Sequence, residues 1–357
     1  MVHRLRAFLE QTCRGASIAD EHVSIGVAQE QFPLNQPFRI SRGAKNAADV
    51  LTVSITNGSA TGRGECVPYA RYGETISAVQ TELQSACALL SATRLENVIE
   101  TAEARLTSMA ARNAVDCALY DFVARANATS VAAMIGLEAM HPVPTFVTLS
   151  LDTPEAMATA ARNVPASTHC HLKLKLDGAI DADRMRAVRQ ARPDATLIGD
   201  ANEAWSADKC ETLLQAAAEA GFDMIEQPLP AERDSLLATI NRPLPVCADE
   251  AAHTSESVSS LADRYDAVNI KLDKTGGLTG ALAMVRAAEA AGLKIMVGSM
   301  VASSLSMAPA FLVAQHAEWV DLDSPALLRH DRPHAMSIRD GVLQPPHPDL
   351  WQLQVTA

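Results

Sequence analysis

Apolar and polar residues alternate most clearly in the middle of the chain. Read as a β-strand, His171-Leu-Lys-Leu-Lys-Leu176 puts Leu172, Leu174 and Leu176 on one face and His171, Lys173 and Lys175 on the other. The stretch 269–273 repeats the pattern, with Asn269, Lys271 and Asp273 predicted on one face and Ile270 and Leu272 opposite. Strand-like alternation also runs through 22–61: Val23, Ile25 and Val27, then 37–40, then 49–56, which ends at the turn signal Asn57-Gly58. Helical periodicity follows over about 76–92 and 105–126. An antiparallel sheet followed by helices is an α+β unit.

After His141-Pro-Val-Pro144 the pattern changes to strict alternation of element types. Strands are predicted at 145–151, 169–176, 196–200, 223–226, 246–248, 267–271, 294–297 and 320–323, most of them separated by helical stretches such as 154–163, 182–191 and 206–220. Crossovers of this length imply parallel pairing, and eight such strands imply a closed (β/α) barrel. Active sites of such barrels lie at the carboxyl ends of the strands. Three acidic residues end short apolar runs there: Asp200, Glu226 and Asp249, 26 and 23 residues apart. One alone reads as a helix cap. Three on one rim, with no His or Cys among them, form a hard oxygen donor set suited to Mg²⁺. Lys173 and Lys175 face the same lumen, where a lysine needs a carboxylate or a substrate to meet it. Lysines opposite carboxylates around one cation suggest metal-assisted proton transfer.

Composition narrows the partners. A net charge of −12 over 357 residues argues against nucleic acid or an anionic membrane, and no apolar run reaches the roughly 18–20 residues of a membrane span. Seven scattered cysteines without a C-x-x-C fit reduced, mostly buried thiols and a cytoplasmic setting. Residues 1–20 read as an extra leader, with no signal-peptide core.

The ordered motifs carry a resemblance. They are K-L-K (173–175), D-A-N-E-A-W (200–205), I-E-Q-P (225–228), A-D-E (248–250), N-I-K-L-D-K-T-G-G-L-T (269–279), V-G-S-M (297–300) and D-L-D (321–323), with P-L-N-Q-P-F, G-R-G-E-C-V-P-Y and N-A-V-D-C-A-L-Y-D in the first 121 residues. The chain resembles the enolase superfamily, in its muconate-lactonizing subgroup, and is most similar to the dipeptide epimerases. That resemblance implies a modified (β/α)7β barrel (141–329) under an N-terminal α+β cap (1–140), with 330–357 packing back on the cap. It implies one Mg²⁺ per subunit on Asp200, Glu226 and Asp249. It implies Lys175 and Lys271 as bases on opposite sides of the substrate α-carbon, inverting it through an enediolate. Lys173 resembles the lysine that neutralises the substrate carboxylate. Asp321 and Asp323, expected on one face of the last strand, resemble the pair that holds a dipeptide α-ammonium. Thr148, Ser299 and Met300 match further substrate contacts.

The expected activity is thus epimerisation of a dipeptide at its C-terminal residue. Cycloisomerisation, o-succinylbenzoate synthesis and N-acylamino acid racemisation use the same metal and lysines and stand as alternatives, as does a barrel that only binds ligand. A working lysine base needs its pKa brought down toward about 7–8, which the metal and Lys173 are expected to do for Lys175. Loops around Arg42 and 69–73 are expected to close over the barrel mouth. Arg42 has two readings, a counter-charge for an acidic side chain and, ahead of it, an ordinary surface arginine, and His253 reads as a loop histidine. Ala302-Ser303 and the basic run 329–334 depart from the family pattern. A homo-oligomer is expected from how such barrels assemble.

Overall fold

The computed structural model describes residues 23–165 and 170–352. The 1–20 leader, Cys13 and His169, the first residue of one predicted strand, lie outside them. Three antiparallel strands open the fold: β1 (Ser24–Ile40), β2 (Gly43–Thr56) and β3 (Thr61–Cys66), in the order β1-β2-β3. The separate strands predicted up to residue 40 are one 17-residue strand, because the register shift between Pro33 and Phe38 lets pairing resume past the prolines.

Helices α1 (Ile76–Ser91), α2 (Val98–Arg105), α3 (Met109–Ala126) and α4 (Val131–Ile135) follow. The 105–126 periodicity starts later than predicted, at the Ser108 N-cap, whose hydroxyl accepts from Ala111 N; the residues before it form the separate α2. Helix α3 buries 14 of its 18 residues and lies hard against β3. A Cβ on Gly62 or Gly64 would sit 2.1 Å from Phe122 N or 2.2 Å from Ala114 O, so only glycine permits this approach.

After the short β4 (Val143–Pro144), the barrel begins with β5 (Val147–Leu149). It continues through α5 (Pro154–Asn163), β6 (His171–Lys175), α6 (Asp181–Ala191), β7 (Thr196–Asp200), α7 (Ala207–Glu219), β8 (Met224–Glu226), β9 (Val246–Ala248) and α8 (Ser255–Val258). It ends with β10 (Ala267–Ile270), α9 (Leu272–Thr275), α10 (Leu278–Ala291), β11 (Lys294–Gly298), α11 (Ser304–Ala314) and β12 (Trp319–Asp321). Eight strands, β5 to β12, pair in sequence order, and every pair is parallel. Phe146 N donates to Val320 O at 2.8 Å and draws the two edges together. Among the described residues no long helix follows β12, which is succeeded by the short α12 (Ser324–Leu327), as in a (β/α)7β barrel. The expected barrel under an α+β cap is the observed fold.

After the barrel, β13 (Ile338–Arg339) and β14 (Val342–Leu343) pair with β4. The chain then reaches the cap, where Arg63 and Arg125 donate to the carbonyls of residues 348–350 and Trp351 is fully buried. Among the described residues no helix is long and apolar enough to cross a membrane. The six described cysteines are unpaired, and all but Cys87 are buried.

Candidate active site

Parallel register builds the site. Lys175 pairs with Asp200, and Asp200 with Glu226, so three neighbouring strands present these side chains at one level of the lumen. Asp249 stands one residue past β9 and Lys271 one past β10. All are buried: Asp200 and Glu226 completely, Asp249 and Lys173 at 1 % exposure, and Lys175 and Lys271 at 8 %. Strands β6 and β10 are four apart in an eight-stranded barrel, so Lys175 and Lys271 rise from opposite walls with the three carboxylates on the strands between.

The lysines act as counter-charges. Lys173 Nζ lies 2.6 Å from Glu226 Oε2, 2.7 Å from Asp321 Oδ2 and 3.2 Å from Asp200 Oδ2. Lys175 Nζ meets Asp200 Oδ2, and Lys271 Nζ meets Asp249 Oδ2, both at 2.6 Å. Burial works against charge on Lys173, but the carboxylates around it hold it well above an ordinary lysine. Burial likewise favours neutral Lys271, yet Asp249 and Glu226 keep it raised. A base brought down toward neutrality is therefore not what Lys271 is while carboxylates are its nearest charges. Burial pushes Glu226 up, and neighbouring Asp200 adds to that rise. Asp200 and Asp249 resist burial and stay low because two lysines contact each.

The donor chemistry fits a divalent cation. Three hard carboxylates line a buried space, and Asn202 Oδ1, Glu250 Oε2 and Asn269 Oδ1 are buried acceptors without a hydrogen-bond donor. The acids stand wide, with Lys173 between Asp200 and Glu226. Among the described residues, the group of three ligands with all its atoms within 4.8 Å is instead the exposed His334, His347 and Asp349.

On the far side, Thr148 joins the D-L-D pair. Its N–H donates to Asp323 Oδ2 at 2.7 Å and its hydroxyl to Asp321 Oδ1 at 3.3 Å. Asp323 does not share a strand face with Asp321: β12 ends at Asp321, and Asp323 has turned to helical φ/ψ as the cap of α12. The turn still brings both acids to Thr148. Burial, with Asp321 beside it, pushes Asp323 up to about 7.

The shared face predicted for Asn269, Lys271 and Asp273 fails at its third member. The chain enters α9 at Leu272, which swings Asp273 toward the cap, where Val67 N and Asn113 Nδ2 donate to it. The same turn carries Lys274 inward to donate to Asp249 Oδ1 and to the Asp249 and Asn269 carbonyls at 2.6–2.9 Å. Lys274, Asn202 and Glu250 were missed as site residues. Glu250 beside Asp249 in A-D-E was the available signal.

Arg42 is no ordinary surface arginine. It donates to Glu250 Oε1 at 2.6 Å, Asn202 O at 2.9 Å and Tyr69 Oη at 3.0 Å. His253 is a loop residue, as expected, packed on Tyr72. A cavity of about 470 Å³ lies under the two cap loops, lined by Arg42, Lys45 and Tyr69 above and by Lys175, Lys271 and Asp321 below. Thr148, Ser299, Met300 and Asp323 line it too. A wider groove of about 1020 Å³ beside it shares Arg71 and Tyr72 but opens toward α1 and holds none of the three barrel carboxylates.

A capped (β/α) barrel with lysines and carboxylates on its rim is the architecture of an enolase-type enzyme. Residues 155–348 match the enolase C-terminal domain-like family, and residues 22–136 match the mandelate racemase/muconate lactonizing enzyme N-terminal domain. The chain belongs to this family. It is 40 % identical to the L-Ala-D/L-Glu epimerase of Escherichia coli K12 over 90 % of this chain and 99 % of that protein. It is 41 % identical to an N-acetyl-D-glutamate racemase of Pseudoalteromonas over 85 % and 95 % of the two chains. A solved enolase family member from Agrobacterium tumefaciens, described as having homology to dipeptide epimerases and bound to sodium and L-Ala-L-Glu, superposes with a TM-score of 0.88 at 43 % identity. That match covers 92 % of this chain and 99 % of the other. Other solved dipeptide epimerases hold Mg together with a dipeptide.

Proposed function

We propose that this chain is an Mg²⁺-dependent dipeptide epimerase that inverts the α-carbon of a C-terminal glutamate, with L-Ala-L-Glu the substrate to test first. The observation that carries the reading is Lys175 and Lys271 on opposite walls of one cavity, with carboxylates between them.

Asp200, Glu226 and Asp249 are the residues that would hold the cation. When bound, Mg²⁺ supplies stabilisation for the second negative charge that builds on the substrate carboxylate and cancels the pull of the three acids on the lysines. Lys271 and Lys175 exchange roles by direction: one takes the α-proton and the other returns a proton to the opposite face. Lys173, anchored by Asp321, presents positive charge to the substrate carboxylate. Asp321 and Asp323 offer the α-ammonium a carboxylate pair steadied by Thr148, and Ser299 and Met300 wall the cavity. Arg42 and Lys45 on the cap give an acidic side chain its counter-charge. The cap loops exclude water from the developing charge.

The direct test is mass spectrometry of L-Ala-L-Glu incubated with enzyme in D₂O. One deuterium at the glutamate α-carbon and formation of the D-epimer are expected, and both should stop with a chelator. No uptake in the presence of Mg²⁺ overturns the reading. Racemisation of N-acetylglutamate is a second reading, favoured by the Pseudoalteromonas relative. An N-acetyl group carries no cation for Asp321 and Asp323, so the dipeptide should react with the higher kcat/KM in a parallel assay.

The reading divides the chain into a cap of 1–140 and a barrel of 141–329. The arginine contacts to residues 348–350 support assigning 330–357 to the cap side. The free, buried cysteines support a cytoplasmic setting. Light scattering tests the expected homo-oligomer.

A further inference from the structure

Three residues just past two of the barrel carboxylates hold a left-handed backbone without being glycine: Asn202 (φ 43°), Glu203 (φ 68°) and Gln227 (φ 35°). L-residues disfavour this region, and it persists only where the surroundings impose it. For Gln227 the barrel does so. Its amide donates to Leu229 O and Tyr265 Oη and accepts from Asp249 N and Ala251 N.

The Asn202-Glu203 pair is held mainly from the cap. Ser41 Oγ at 3.4 Å and Arg42 Nη1 at 2.9 Å donate to Asn202 O. Arg71 grips the Glu203 carboxylate as a fork, Nε to Oε2 at 2.6 Å and Nη2 to Oε1 at 2.8 Å, with Arg42 Nη1 at 3.4 Å. Barrel contacts to Glu203 are two: Ala231 N donates to Oε1, and the Glu203 N–H donates to Gln227 O, both at 2.9 Å. The strained segment in turn holds Asp200, since Asn202 N donates to Asp200 Oδ1 at 2.9 Å.

We propose that Glu203 is a positioning residue that couples closure of the cap to the setting of Asp200. The cap loops at 41–42 and 69–71, seated on Glu203, keep residues 200–203 in their strained form, and release of the loops lets the segment relax. This rests on the reading of Asp200 as a metal ligand, but not on which substrate is turned over.

Glu203→Gly is the informative variant, because glycine suits φ 68° while the carboxylate grip is lost. The fold should therefore survive, with an unfolding midpoint within a few degrees of wild type. In the substrate-free enzyme, tryptic cleavage after Arg42, Lys45 and Arg71 should speed up by about tenfold, and Mg²⁺ affinity by calorimetry should weaken by about tenfold. KM for L-Ala-L-Glu should rise by more than kcat falls. Arg71→Met, which removes one of the three cleavage sites, should reproduce the faster cleavage after Arg42 and Lys45 and the Mg²⁺ effect, and Glu203→Gln should fall between. Wild-type cleavage and Mg²⁺ affinity in Glu203→Gly overturn the proposal. So does an effect of Glu203→Gly that Arg71→Met fails to share. If wild-type enzyme does not epimerise the dipeptide, the functional reading falls while the cleavage measurement still decides this one.

Discussion

The two ends of the barrel lumen are built from the same strands and do opposite work. At the amino-terminal end Phe146, Ile198, Met224, Cys247, Ala267, Met296 and Trp319 form a buried apolar layer. Two residues further along, the same strands present Thr148, Asp200, Glu226, Asp249, Asn269, Gly298 and Asp321 to the same lumen. A step of two keeps the side chain inside while advancing it about 6–7 Å up the strand. One layer is stabilised by removing apolar area from water. The other gathers charges that are tolerable only because lysines and carboxylates compensate one another. Stability and chemistry are thus stacked in one channel, and substitutions should separate them.

The largest effect is expected at the upper layer. Lys175→Ala or Lys271→Ala should lower kcat by about a thousandfold or more, within the range for losing a positioned acid–base group. In D₂O each variant should exchange the α-proton of only one epimer, since one base remains on one wall. Epimerisation within tenfold of wild type in either variant breaks the two-wall arrangement.

At the lower layer Met224→Ala should do the reverse. Denaturant titration should show a loss of about 2–5 kcal/mol, with kcat and KM unchanged. A large change in kcat would show that the layers are not separable.

Gly298 sharpens the comparison, because it is the upper-layer position without a side chain. A Cβ there would stand 2.8 Å from Asn269 Oδ1 and 3.2 Å from Lys271 Cε. Gly298→Ala should therefore cost about 1–3 kcal/mol and also depress kcat, unlike any lower-layer change. Unchanged turnover would show that Lys271 has freedom the geometry denies it.

The smallest effect concerns pH. Burial pushes Asp116 on α3 up to about 7, against bonds from the Thr279 hydroxyl and amide that favour its charged form. An acid whose folded pKa is raised binds more protons folded than unfolded. Its contribution is intact below about 4 and is lost as pH rises through about 7. Asp116→Asn should flatten part of that decline in melting temperature by a few degrees, without altering the pH profile of kcat. Asp273 and Asp323, pushed to about 7, and Asp121, pushed to about 6, all chiefly by burial, keep a further part of the slope.

What could be read in the residues is uneven. All eight barrel strands were legible, because each is a short apolar run and most end in an inward polar residue. Asp200, Glu226, Lys173 and Lys175 lie within their strands and follow the period of two. Asp273 and Asp323 do not, because the chain had turned to helix at residue 272 and at residue 323. The same change of period hid Lys274. Arg42 was misjudged because its partners, Glu250 and Asn202, are 208 and 160 residues away.

By itself, then, the sequence determined the barrel, the α+β unit ahead of it, and the acids and lysines at its strand ends, since each is a matter of local period and of order along the chain. Only the tertiary structure decided which acids share Thr148, that Lys274 grips Asp249, and that cap arginines hold the strained segment behind Asp200. Those contacts join elements distant in sequence, or lie where the backbone leaves its regular period. No short-range pattern encodes them.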